Sequence, residues 1–226
     1  NLEKANYEVL DIKKREQRRN PLPPFITSSL QQDAYRKLGF VAKKTMRIAQ
    51  QLYEGIELGR KTSTQGLITY IRTDSTRIAS SAQTEARSYI AKEFGQEYVP
   101  QKPRQYQSKK KSQDAHEAIR PTSMDKSPSE IKGFLTRDQY RLYKLIWDRF
   151  IASQMNPAIL EITTVEINAN NYLFRASGSI IKFPGFLKVY QSEEDGEENE
   201  DRNLLPQLNK KEKLILKKLE PKQHFT

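Results

Sequence analysis

Residues 20–40, NPLPPFITSSLQQDAYRKLGF, mark where one kind of structure gives way to another. Prolines at 21, 23 and 24 remove backbone donors and hold the residues before them extended, so a preceding strand must stop there. After them the period becomes helical. Leu30, Ala34 and Leu38 form an apolar stripe, Ser28 with Gln31 and Ser29 with Gln32 both have capping-box spacing, and Gly39 is a suitable C-terminal stop. A second helix follows at once, with Ala42, Met46, Ala49, Leu52 or Tyr53, and Ile56 as its stripe, joined by a turn as short as those of helix-turn-helix units. Arg36, Lys37, Lys43, Lys44 and Arg47 decorate the pair and read as a solvated face.

Upstream of the prolines, YEVLDIKK (residues 7–14) reads as a strand. Downstream, Ser80 or Ser81 is placed to cap a helix with Ala82, Ala86, Tyr89, Ile90 and Phe94 inward and Gly95 at its end. Residues 99–113 read as loop and contain the basic run SKKKS. A short helical piece, QDAHEAIRPT, stops at Pro121, and Thr136 with Gln139 caps a long helix carrying Tyr140, Tyr143, Trp147, Phe150 and Ile151 as core. From Ala158 the period is two: ILEITTVEI, YLFRAS, IIKFPGFLKVY and KLILKKLE are strand candidates. Strand, helices, then strands again predict a mixed α and β chain, a β-rich domain interrupted by a helical insertion.

The 226 residues suffice for two small domains, and enough Leu, Ile, Val and aromatic side chains are present to form cores despite 30% charged residues. Without cysteine there are no disulfides and no thiolate metal sites, which allows a reducing, cytoplasmic location. No apolar run approaches a membrane span, and residue 1 is Asn with no signal-like stretch after it, so the chain reads as starting in mid-protein. The net charge of +11 includes seven acids and no base within residues 193–201, so the remainder stands at +18 and favours a polyanionic partner.

Within the helical insertion, GLITYIRTDST (residues 66–76) looks like a strand with chemistry on one face. Alternation would send Tyr70, Arg72 and Asp74 one way and Thr69, Ile71 and Thr73 the other. A phenol is a poor nucleophile at neutral pH unless a base or a nearby positive charge favours the phenolate, and Arg72 supplies such a charge. Its planar fork also fits two phosphate oxygens, and Asp74 is placed to orient it. The plainer reading is a packed strand tyrosine. In a helical DAHEAIR, His116 and Arg120 would sit four apart on one face and reach one anion together; His224, near the chain end, has no element to present it. GIELGRKT has the wrong glycine spacing for a phosphate loop, so no nucleotide site is expected, and no Asp-x-Asp metal motif occurs. A tyrosine recombinase would need its His-x-x-Arg before the tyrosine, whereas His116 and Arg120 follow it at a different spacing.

Four motifs, PPFITSSLQQDA, GLITYIRTDS, AHEAIRPT and PKQHFT, occur in the order they take in type IA DNA topoisomerases, and the chain resembles the bacterial DNA topoisomerase I branch of that family. The resemblance implies that Tyr70 attacks a phosphodiester of single-stranded DNA and becomes linked to its 5′ phosphate. It further implies that Arg72 holds the scissile phosphate, that His116 contacts the backbone near the break, and that Thr69, Asp74, Arg120, Gln50, Tyr53 and Glu54 support the site. It implies a type IA fold in part: a winged-helix-like domain bearing the tyrosine (residues 30–156) inserted into a β-rich arch (residues 1–29 and 157–226, with an acidic loop at 192–203). The family's Toprim domain, whose acids hold magnesium, and its strand-holding domain match nothing here. The expectation is therefore a piece of a longer, ATP-independent enzyme, with no cofactor of its own, single-stranded DNA as partner, and the bacterial nucleoid as location. The alternative is a basic single-strand-binding module whose tyrosine is structural.

Overall fold

In the computed structural model, residues 2–59, 64–106, 116–191 and 205–223 are described. The SKKKS run, the acidic stretch 193–201, most of GRKT and His224 lie outside them. The prolines do end a strand. Strand β1 (Tyr7–Arg19) outlasts the YEVLDIKK pattern because its polar second half, up to Arg19, pairs with β2 (Ala158–Ala169) in a register running from Tyr7↔Ala169 to Arg19↔Ala158. A register shift between Val9 and Asp11 leaves Leu10 exposed. Strand β3 (Tyr172–Phe183) turns back on β2 through Asn170 and Asn171, a two-residue hairpin in which Asn170 takes φ 55°, the left-handed region that asparagine tolerates. With β4 (Lys213–Leu214) the sheet is antiparallel throughout, in the order β3-β2-β1-β4. Its buried side chains include Tyr7, Val9, Val165 and Ala169, with the Tyr7 and Phe174 rings 5.8 Å apart. This unit comprises Asn1–Arg19, Ala158–Pro184 and Ser192–Thr226.

The other unit, Asn20–Pro157 with Gly185–Gln191, holds helices α1 (Thr27–Leu38), α2 (Ala42–Glu54), α3 (Ser80–Phe94), α4 (Pro128–Ile131) and α5 (Arg137–Ser153). Gly39 closes α1 at φ 71°, its amide donating to Tyr35 O. Helix α5 has the expected reciprocal cap, with Thr136 Oγ1 accepting from the Gln139 amide and the Gln139 side chain accepting from the Thr136 amide. It buries Leu142, Tyr143, Ile146, Trp147, Phe150 and Ile151, and these pack with Leu30 and Ala34 of α1 and Ile48, Ala49 and Leu52 of α2 to form the core.

Several expectations need correction. Helix α1 begins at Thr27, and Ser29 Oγ accepts from the Ile26 amide in place of the two expected boxes. The inward stripe of α2 is Thr45, Ile48, Ala49 and Leu52, on a helix that packs against α5 and α1; Ala42 is exposed. Ala79, not a serine, precedes α3, and no side chain caps it. GFLK in the last third is a 3₁₀ turn (Gly185–Lys188) that belongs with the helices: a Cβ on Gly185 would lie 2.4 Å from Pro157 O, so the chain there is pressed against the end of the helical unit. Of KLILKKLE only Lys213 and Leu214 pair. Residues 20–29 likewise pack with the helices, so the sheet segments are shorter than the 1–29 and 157–226 read from sequence.

Candidate active site

Residues 66–76 form no regular strand. They run irregularly, with a bend at Ile71 and Arg72 and isolated bridges such as Ile68↔Pro121, yet the alternation survives: Tyr70, Arg72 and Asp74 are exposed while Ile71, Thr73 and Ser75 are buried. Two threonine hydroxyls hold the backbone in place of a sheet ladder. Thr27 Oγ1, in the first turn of α1, lies 2.8 Å from Ile71 O and 3.0 Å from Thr73 O and accepts from the Thr73 amide at 2.9 Å. Thr69 Oγ1 donates to Ala118 O at 2.6 Å and accepts from the Arg120 amide at 3.0 Å. Upstream, Leu67 N donates to Leu52 O at 2.8 Å, and a Cβ on Gly66 would stand 2.6 Å from Tyr53 O, so only glycine allows this approach to the end of α2.

That approach gathers the side chains. Tyr70, 40% exposed, has the Tyr53 ring edge-on at 5.6 Å and the His116 ring at 5.5 Å. One turn before Tyr53's neighbour Glu54, Gln50 Nε2 donates to Glu54 Oε1 at 2.6 Å. Arg72 lines a cleft of about 480 Å³ with Thr27, Gln31, Met46, Arg47, Gln50 and Ile71. Among the described residues no ion pair joins Arg72 to Asp74, so the expected orienting role of Asp74 has no contact behind it.

The segment around His116 corrects another expectation. Residues 116–121 are extended, not helical: Ile119 bridges Phe25, its amide donating to Phe25 O at 2.8 Å, and the Ala118 amide donates to Arg77 O at 2.9 Å. With these amides committed outward and Pro121 keeping Arg120 extended, an i to i−4 ladder cannot form. His116 and Arg120 therefore do not share a helix face. The Arg120 guanidinium is occupied instead, with Nε 2.8 Å and a terminal nitrogen 2.7 Å from Glu117 and another nitrogen donating to Pro121 O. Arg120 thus braces the loop that carries His116.

Tyr106, Tyr143 and Tyr190 of this unit are poor nucleophiles because their phenols are harder to ionise. Burial pushes the Tyr106 phenol up to about 12, and raises those of Tyr143 and Tyr190 as well, the last also through its bond to Asp33. Thr27 is not marked by the sequence as a site residue and Arg47 reads there only as part of a solvated face; the available signals were a threonine three residues after the proline run and an arginine three residues before Gln50 on one helix. No group of three His, Cys, Asp or Glu among the described residues is placed to hold a metal ion.

This constellation, an exposed phenol flanked by a histidine and followed by an exposed arginine, sits in a mixed α/β chain whose whole length, residues 1–226, matches the DNA topoisomerase family model, and the chain belongs to that family. The bacterial type IA resemblance is matched by a solved structure: full-length topoisomerase I from Thermotoga maritima is 39% identical and superposes with a TM-score of 0.78, over 94% of this chain and 33% of that one. The chain therefore spans about a third of the length of that relative.

Proposed function

We propose that this chain bears the nucleophile of a type IA DNA topoisomerase, which breaks and rejoins single-stranded DNA through a 5′-phosphotyrosine link. The supporting observation is that Tyr70 is exposed within 5.5 Å, ring to ring, of His116 while its neighbour at two residues, Arg72, opens into a cleft free of carboxylates. The Tyr70 phenolate oxygen attacks phosphorus, the bond from phosphorus to the 3′ oxygen breaks, and that oxygen leaves and takes up a proton. The reverse attack by the 3′ hydroxyl releases Tyr70. One phosphodiester is exchanged for another, so resealing needs no ATP. Arg72 would grip the non-bridging oxygens and offset the charge that grows on them, and His116 would contact the backbone beside the break, steadied by the Arg120–Glu117 brace.

Magnesium does not fit the described residues, which lack a ligand cluster, and no step here uses it. We assign it, with strand handling and relaxation of negative supercoils in the cytoplasmic nucleoid, to parts of the longer polypeptide corresponding to the remainder of the Thermotoga protein, and expect no plasmid relaxation from this chain alone. No helix among the described residues is long and apolar enough to cross a membrane. The competing reading, a binding module with a structural tyrosine, predicts no covalent product. Incubating the longest natural polypeptide containing this chain with a single strand labelled on either side of its break site, then denaturing, separates the two. The label 3′ of the break should stay with the protein and the label 5′ of it should be freed; retention of the opposite label, or of neither, would refute the proposal.

A further inference from the structure

The cleft beside Arg72 contains a cation that the chemistry above leaves unused. Arg47 stands on the same face of α2 as Gln50, three residues apart, and both line the space of about 480 Å³ with Arg72, Gln31, Thr27, Met46 and Ile71. None of these seven is acidic. Arg47 is exposed and forms no hydrogen bond or ion pair among the described residues, whereas Lys44 on the same helix is neutralised by Asp138 at 2.7 Å. Two guanidiniums without counter-charge, in a concave wall of amide and hydroxyl groups, repel one another until an anion enters. The nearest such anion would be a phosphate.

We propose that this cleft is a phosphate subsite in which Arg47 binds a phosphodiester of the same DNA strand next to the one gripped by Arg72, fixing the strand's direction past Tyr70. The proposal rests on the reading of Tyr70 and Arg72 as the cleavage centre. Its chemistry is backbone recognition, so it carries no base preference.

The test measures binding of this chain to a fluorescent oligo(dT) strand by anisotropy, from 50 to 200 mM salt, for the wild type, Arg47→Gln, Arg47→Lys and Lys43→Gln. Each phosphate contact on a single strand contributes about 0.7 to the slope of log affinity against log salt. Arg47→Gln should therefore lower the slope by about 0.7, so that the wild type loses roughly 2.5-fold more affinity across this range than the variant does. Arg47→Lys should retain the slope as a point charge, and Lys43→Gln, whose lysine is exposed outside the cleft, should leave it unchanged. An unaltered slope in Arg47→Gln, or an equal fall in Lys43→Gln, would overturn the subsite. Failure of the cleavage reading shows differently: the strand-labelling assay would give no adduct while these slopes still separated.

Discussion

Thr27→Val removes one hydroxyl and keeps the β-branched shape, so it tests how the Tyr70 segment is held. In the wild type that hydroxyl accepts from the Thr73 amide at 2.9 Å and lies 2.8 Å from Ile71 O. Thr73 is buried, so valine leaves its amide without an acceptor, a cost of about 1–3 kcal/mol. The reciprocal bond from Thr27 N to Thr73 O, at 3.0 Å, survives, so the helix should still form. Trp147, the single tryptophan, is 3% exposed in α5, and its fluorescence reports the helical unit by itself. With a urea slope of about 2 kcal/mol/M, a loss near 2 kcal/mol moves the midpoint down by about 1 M. Thr27→Ser, which keeps the hydroxyl, should recover most of that shift. A valine variant that unfolds at the wild-type midpoint would show that the hydroxyl does not hold this segment.

Asp33→Ala should be more damaging, by about 3–5 kcal/mol in the same titration, because Arg149 is 5% exposed and would lose the carboxylate 3.2 Å away; a loss below 1 kcal/mol would mean that its bond to Pro23 O and its stacking on Phe25 suffice. Alkaline pH should loosen the same unit. The Tyr106 phenol is raised by burial to about 12 in the fold and titrates near 10 when unfolded, so its contribution is intact below pH 10 and is lost as pH rises from there toward 12. Tyr106→Phe should flatten that fall by about 2 kcal/mol, read as urea midpoints at pH 9 and pH 11.5, and identical pH dependence in the variant would contradict it. Arg72→Lys keeps the charge but loses the fork, and in the longer polypeptide it should cut strand cleavage severely; full cleavage by the lysine variant would reduce Arg72 to a point charge.

The helices were legible because their cores obey one period and their ends carry local chemistry, as at Thr136 with Gln139 or Gly39. The long second half of β1 was not, since residues 15–19 are polar on both faces and are ordered only by distant partners in β2. The helical reading of DAHEAIR failed for a similar reason: its spacing suits a helix, but Ile119 and Ala118 are bound by Phe25 and Arg77, nearly a hundred and some forty residues earlier in the chain, about which local pattern is silent. At the site, alternation placed Tyr70, Arg72 and Asp74 on one exposed side although no ladder enforces it. What periodicity could not supply was the meeting of His116 and Tyr53 with Tyr70, or of Arg47 with Arg72. These depend on where Gly66 brings the chain against α2.

The identity of the nucleophile is tested most directly by trapping DNA on the longest natural polypeptide that contains this chain, digesting the adduct with nuclease and protease, and mapping the peptide that retains a nucleotide. The nucleotide should sit on the peptide containing Tyr70, and Tyr70→Phe, which removes one oxygen from a side chain already 40% exposed, should form no adduct while binding single strands as before. A nucleotide on any other residue, or adducts at the wild-type level in the phenylalanine variant, would contradict the account.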